Sequence, residues 1–213
     1  MNVTLLGNPT HRASFEELCR AAGHTFNSSA AAGILFDLHL VDKDAKRAAI
    51  AGATADLILT AAVPCSATEA ASWANHPDRV VGISPVFGGV IELAPALQTA
   101  PEILDRADSF LRALSLDPVR VADGPGLVRI RVLCCLANEA ASAVAEGVAS
   151  PADIDTAMKL GVNYPRGPLE WADALGPDVV LAVMRGLQAE YGEDRYRPAP
   201  LLIRKVQAGQ KFS

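Results

Sequence analysis

Over the first 120 residues the apolar positions fall in short runs separated by polar segments carrying Gly and Pro. "NVTLLG", "ILFDLHLV" and "ADLILTAAV" are rich in Val, Ile, Leu and Thr and predict strands. Between them the spacing turns helical. Phe15, Leu18, Cys19 and Ala22 share one face, Ser14 with Glu17 reads as a capping box, and Gly23 stands where a C-terminal cap belongs. A second helix is expected over residues 44–51. "RVVGISPV" and "VIELAPAL" predict further strands, with Gly88 and Gly89 as a hairpin-like turn between them. A helix over residues 101–114 then leads into "PVRVAD". Strand and helix in alternation predict an α/β sheet, mostly parallel at its start.

From Asp123 onward the period is helical throughout. Leu133, Leu136, Ala137, Ala140, Val144 and Val148 mark one face. Ser150, Pro151 and Asp153 announce the next helix, which Ile154, Ala157 and Met158 continue to Gly161. "NYPRGP" is a rigid turn, Pro168 opens a helix carrying Trp171, and Pro177 opens another with Val180, Met184, Leu187 and Tyr191 on one face. The change of pattern divides the chain into a small α/β domain, residues 1–121, and an all-α domain, residues 122–213. Apolar helical faces in so small a domain call for a partner subunit to cover them.

Composition narrows the partners. Half of the 213 residues are hydrophobic, enough for a real core, and no apolar run reaches the roughly 18 residues of a membrane helix. No signal-type segment opens the chain, so the cytoplasm is the expected location, and the initial Met favours a complete product over a cut fragment. A net charge of −5 with dispersed basic residues argues against nucleic acid and against an anionic membrane. Cys19, Cys65, Cys134 and Cys135 lack zinc-site spacing and read as packing thiols; no metal is expected. His11, His24, His39 and His76 read as surface or loop residues.

The first strand, loop and helix have the order of a dinucleotide site, but the loop reads G-N-P-T-H-R. Of the three glycines in G-x-G-x-x-G only Gly7 survives; Pro9 brings a ring without an N–H, and Arg12 opposes close helix packing. "HTFNSSAAAG", where a ribose-binding acid is expected, holds none. Asp42 reads as a solvated helix cap.

Several motifs occur in order in the helical half. They are the P-G start at Pro125, N-E-A at Asn138, "EGVASPADIDTAMKLG", "YPRGPLE" and "RYRPAP". Together they closely resemble the C-terminal domain of L-3-hydroxyacyl-CoA dehydrogenases, including the 3-hydroxybutyryl-CoA and 3-hydroxyadipyl-CoA enzymes. Through "TEAASWANHPDRVVGI" the first half resembles a reduced Rossmann-type domain of the same family. The expected fold is therefore a small α/β Rossmann-like domain followed by an all-α 3-hydroxyacyl-CoA dehydrogenase C-terminal domain.

The resemblance implies a family chemistry in which a histidine takes the hydroxyl proton as hydride passes to NAD. A glutamate orients that histidine, and a serine and an asparagine help bind substrate. In this chain the histidine position holds Ser84, followed by Pro85, Val86 and Phe87; the glutamate maps to Pro95 or Ala96, the serine to Val63 and the asparagine to Ile130. A serine hydroxyl with no activating neighbour is too weak a base at neutral pH. Glu92 reads as an exposed strand residue. Arg166 replaces the family's methionine, either meeting an acyl-CoA phosphate or carboxylate or standing as a solvated turn arginine. Ser84, Ile130 and Arg166 are the candidate substrate-cleft residues. The family tail G-[RK]-K-[TS]-G is replaced by "QKFS".

These substitutions point to a non-catalytic member that binds no NAD and dimerises through its helical half, with acyl-CoA or a full-length dehydrogenase as further partners. The alternatives are an active NAD-dependent dehydrogenase with relocated residues and an acyl-CoA-binding module.

Overall fold

The computed structural model describes residues 1–26, 33–85 and 89–213. Their contacts divide into two compact units, Met1–Val128 and Arg129–Ser213.

The first unit begins with β1 (Asn2–Gly7), α1 (Pro9–Ala21) and the short β2 (Thr25–Phe26). β3 (Ile34–Leu38), α2 (Lys43–Ala51), β4 (Leu57–Ala61), α3 (Ala67–Ala71) and β5 (Val80–Ile83) follow, then β6 (Val90–Pro95), α4 (Pro101–Ala113) and β7 (Asp117–Arg120). Among the described residues the sheet order is β2-β1-β3-β4-β5-β6-β7, parallel except where β5 meets β6. β3, β4 and β5 are buried along their whole length, as strands covered on both faces must be, which is why they read as unbroken apolar runs. Phe15 of α1 packs its ring 4.7 Å from Phe36 of β3, and Phe110 of α4 lies 6.1 Å from Phe36.

α1 starts earlier than its capping-box pattern predicts. Asn8 is the cap: its Oδ1 accepts from the Thr10 and His11 N–H groups, and Pro9 takes the first helical position with its φ already suited to a helix. Ser14 consequently lies inside the helix, where its hydroxyl donates to the Thr10 carbonyl at 3.3 Å. Asp42 caps α2 through the Ala45 N–H at 2.8 Å. Asn27–Ala32, most of the segment searched for a ribose-binding acid, and Val86–Gly88 lie outside the described residues.

Residues 122–128, which the sequence pattern groups with the helices, are tied into the first unit. Asp123 accepts from the Ala67 and Thr68 N–H groups, each at 2.8 Å, and the Gly126 N–H donates to the Ala62 carbonyl at 2.6 Å.

The second unit comprises α5 (Arg129–Ala145), α6 (Pro151–Gly161), α7 (Pro168–Leu175), α8 (Pro177–Tyr191) and α9 (Pro200–Gln207). α5 packs against the other four. Its fully buried side chains are Ile130, Cys134, Ala137, Asn138, Ala140 and Ala141. Leu133, Leu136 and Val144 are half-buried and Val148 is exposed, so the buried face is rotated from the one the leucines predict. Small side chains win the centre because they let neighbouring helices come close. Asn138 is committed there: its amide donates to the Arg197 carbonyl at 3.0 Å, and its Oδ1 accepts from the Ala199 N–H at 2.7 Å, closing the chain onto α9.

α6 buries a carboxylate rather than Ala157, which is exposed. Asp155 accepts from the Leu169 and Glu170 N–H groups at 2.8 and 3.0 Å, capping α7 from a neighbouring helix. Gly167 is required beside it, since a Cβ there would run into the Asp155 carboxyl.

Candidate functional site at the carboxyl edge of the sheet

In an open parallel sheet a ligand crevice forms outside the carboxyl ends of the strands, where the strand order reverses. Here β2 is added on one side of β1 and β3 on the other, which puts that switch point between β1 and β3. Gly7 ends β1 with φ +100°, and a Cβ on it would collide with the Leu38–His39 backbone. Gly7 is thus required by close chain approach even without its two partner glycines.

In the first turn of α1 the backbone N–H groups are already engaged. The Thr10 and His11 N–H groups are taken by Asn8 Oδ1, the Arg12 N–H by the Asn8 carbonyl at 2.9 Å, and Pro9 has none to give. The helix terminus is thus satisfied from within the chain. The Arg12 side chain is exposed.

Two other expected site residues of this unit, Val63 and Ser84, lie along the same edge. Val63 follows β4 and is buried. Ser84 follows β5, also buried, and is engaged with the next strand: its N–H donates to the Glu92 carbonyl at 3.1 Å and its Oγ accepts from the Glu92 N–H at 2.9 Å. Glu92 is buried, contrary to the sequence expectation, because β6 is an interior strand between β5 and β7. Pro95 and Ala96 stand at the far end of β6, where Pro95 pairs with Val81 at the start of β5. Glu92 is therefore the carboxylate whose backbone faces residue 84. Val86 and Phe87 lie outside the described residues.

Sequence reasoning missed a buried polar cluster beside the switch point. Asp37 of β3 and Lys46 of α2 are both fully buried and form an ion pair. Lys46 Nζ also donates to Thr60 Oγ1 at 2.8 Å and to the Ala61 carbonyl at 2.9 Å, and the Thr60 hydroxyl donates to Asp37 at 2.6 Å. The other Asp37 oxygen lies 2.6 Å from His39 Nδ1. Burial by itself would raise the Asp37 carboxyl. The Lys46 ammonium and the bonds from His39, Lys46 and Thr60 outweigh it and hold the group below the ordinary carboxylate range. His39 is thus no plain loop residue. The available signal was an Asp inside an otherwise apolar strand, with a Lys on the inward face of the following helix.

Cysteine chemistry is suppressed. Burial pushes the Cys19 thiol up to about 12 and Cys65 to about 11, and it raises Cys134 and Cys135 as well. Among the described residues no group of three His, Cys, Asp or Glu side chains is placed to hold a metal, and no helix is long and apolar enough to cross a membrane.

In the second unit Ile130 is buried in the first turn of α5. Arg166 stacks its guanidinium 4.9 Å over the Trp171 ring. Arg131 packs between Tyr191 and Tyr196, 4.7 and 5.3 Å from their ring centres, and donates to both hydroxyls.

An open, mostly parallel sheet with a nucleotide-type switch point, followed by a helical unit, defines a dehydrogenase-like α/β-plus-α architecture. Known proteins make this specific. Residues 126–212 match the 3-hydroxyacyl-CoA dehydrogenase C-terminal domain. The 3-hydroxybutyryl-CoA dehydrogenase of Clostridioides difficile is 40% identical over 149 residues, covering 68% of this chain and 53% of the relative. The 3-hydroxyadipyl-CoA dehydrogenase of Escherichia coli K12 is 42% identical over 127 residues, covering 60% and 27%. The crystal structure of (S)-3-hydroxybutyryl-CoA dehydrogenase from Ralstonia eutropha superposes with a TM-score of 0.77 at 27% identity, covering 98% of this chain and 94% of that one. The chain belongs to the 3-hydroxyacyl-CoA dehydrogenase family. It spans about half the length of the bacterial 3-hydroxybutyryl-CoA dehydrogenases it matches in sequence.

Proposed function

We propose that this chain is a non-catalytic family member that dimerises through its helical unit and takes acyl-CoA as its ligand class without NAD-linked turnover. The observation that carries this reading is the switch-point loop, whose helix-terminal donors are consumed by Asn8 while Pro9 supplies none. The base position agrees with it: Ser84 is buried, and its hydroxyl is bonded to the Glu92 backbone. Val63 and Ile130 are apolar at the family's serine and asparagine positions.

NADH is expected to give no saturable fluorescence change with this chain at micromolar concentrations. A one-to-one titration in that range would overturn the reading. Ser84→His is expected to remain without acetoacetyl-CoA reductase activity, although residue 84 pairs with Glu92 through the backbone. The missing nicotinamide site is the reason, and measurable NADH oxidation by this variant would show that the site persists.

For the dimer, the support is the exposed apolar set of the second unit, which includes Val132, Leu160 and Val162. Sedimentation should report a dimer at tens of micromolar, consistent with an interface burying roughly 1,000 Å² or more. A monomer at that concentration removes this part of the proposal.

The rival reading, an NAD-dependent dehydrogenase with relocated residues, gains one observation: the Asp37–His39 contact holds an imidazole as an oriented base would be held. One-to-one NADH binding by the chain alone would select it.

A further inference from the structure

The outward face of α5 forms a groove of about 420 Å³ with opposite charges at its two ends. Val132, Cys135, Leu136 and Glu139 recur along it at helical spacing, and Arg131 and Arg195 stand beside its first turn. Val132 is half exposed (51%), Cys135 and Leu136 are half-buried, and Glu139 is open to solvent. Arg131 is held from inside the unit by uncharged groups, the Tyr191 and Tyr196 rings and hydroxyls, and meets no carboxylate among the described residues. Arg195 lies 4.6 Å over the Tyr196 ring and keeps only a surface pair with Glu193. Glu139 has no cationic partner among the described residues.

The order of these charges suits one occupant. Arg131 and Glu139 are eight residues apart, about 12 Å along the helix axis, with only apolar side chains on the face between them. The same helix turned end for end carries its own Glu139 to the Arg131 and Arg195 of the first copy. Two-fold symmetry makes that pairing twice and centres it between Cys135 and Leu136, where the face is uncharged. A parallel arrangement would set Glu139 against Glu139 and Arg131 against Arg131. The exposed apolar side chains at the end of α6, Leu160 and Val162, carry no such pattern, because the neighbouring Lys159 is already paired with Glu170 at 2.5 Å.

We propose that the outward face of α5 is where a second copy of this chain docks, the two α5 helices lying antiparallel with Glu139 of each copy paired to Arg131 and Arg195 of the other. The proposal rests on the dimer reading above and adds to it the face, the direction and the charges that fix the register. The apolar strip supplies the area to be covered. The charged ends select the antiparallel partner, because every other alignment along the same strip brings like charges together or leaves them unpaired.

The test is sedimentation of the full chain and of charge-reversed variants. Glu139→Arg should raise the dimer dissociation constant by roughly a hundredfold or more, since it sets like charges against each other at two symmetric places. Adding Arg195→Glu to it should recover much of that loss, because the pair is restored with its signs exchanged. Leu160→Asp should leave the dimer intact. A native dimer that Glu139→Arg does not weaken, or that Leu160→Asp separates, overturns the inference and leaves the dimer reading standing. A native chain that is monomeric at tens of micromolar removes both. Should Glu139→Arg not fold, cross-linking of the unaltered chain decides: Cys135 is the half-buried thiol beside the two-fold axis, while Cys19, Cys65 and Cys134 are buried. Oxidation by copper phenanthroline should join two copies through Cys135, and Cys135→Ser should prevent it; a native dimer whose Cys135 thiols stay unlinked overturns the inference.

Discussion

Lys46→Met should destabilise the first unit by about 3–5 kcal/mol, the cost of removing one partner from a buried ion pair and leaving the other charged and uncompensated. Asp37 has no exposure to solvent through which to recover hydration, and Thr60 alone remains to donate to its Oδ2. Thermal unfolding should fall accordingly, by roughly 2–4 °C for each kcal/mol in a chain of this size. Pairing the change with Asp37→Leu should recover most of the loss, because the buried charge disappears with its partner. The same pair governs acid stability. The folded Asp37 carboxyl is held below its ordinary value, so its contribution is fully present above the unfolded carboxylate value of about 4 and is lost as pH falls through the lowered folded value. Acid unfolding of the native chain should include this component, and that of the double variant should lack it. A Lys46→Met loss of under about 1 kcal/mol would show that the cluster relaxes or admits water.

Asp155→Ala should cost the second unit about 3 kcal/mol, since hydrogen bonds to a charged acceptor contribute about 1.5–3 kcal/mol each and two backbone donors of α7 lose theirs. The Leu169 and Glu170 N–H groups have no intrahelical partner at the start of that helix, and Gly167 packs against the Asp155 carboxyl in place of a side chain. Glu170 also accepts from the Gly167 N–H at 3.0 Å and pairs with Lys159 at 2.5 Å; these contacts hold its own carboxyl below the usual range but do not replace Asp155. Asp155→Asn keeps an acceptor and should lose about half as much. Urea unfolding provides the check: the midpoint should fall with an unchanged slope, and a midpoint equal to that of the native chain would remove Asp155 from the cap.

Both predictions concern side chains that the linear pattern passes over. An Asp within "ILFDLHLV" and another within "PADIDTAMK" read as interruptions of an apolar period, because a periodicity argument weighs each residue against its own element. What makes them tolerable lies on other elements: Lys46 and Thr60 for the first, the start of α7 for the second. Glu92 shows the same limit. Alternation assigns it an open face, but β6 is interior, and that depends on β7 arriving beside it. Ser14 and Glu17 formed a valid local cap signal that lost to Asn8, six residues before Ser14, and to Pro9 beside it, where a side-chain acceptor and a preset φ act together.

The chain's own residues determined the division into a strand-bearing half and a helical half, the positions of most elements, and the family, because periodicity, caps and ordered motifs are properties of short segments. They also determined that the loop after β1 carries Pro9, which has no N–H to donate in any fold. Tertiary structure decided which polar groups became buried and what they met: Asp37 with Lys46 and His39, Glu92 behind Ser84, and Asn138 and Asp155 as caps for distant backbone. The physical reason is that burying a polar or charged group is costly until a partner satisfies it, and these partners come from segments that only folding brings together.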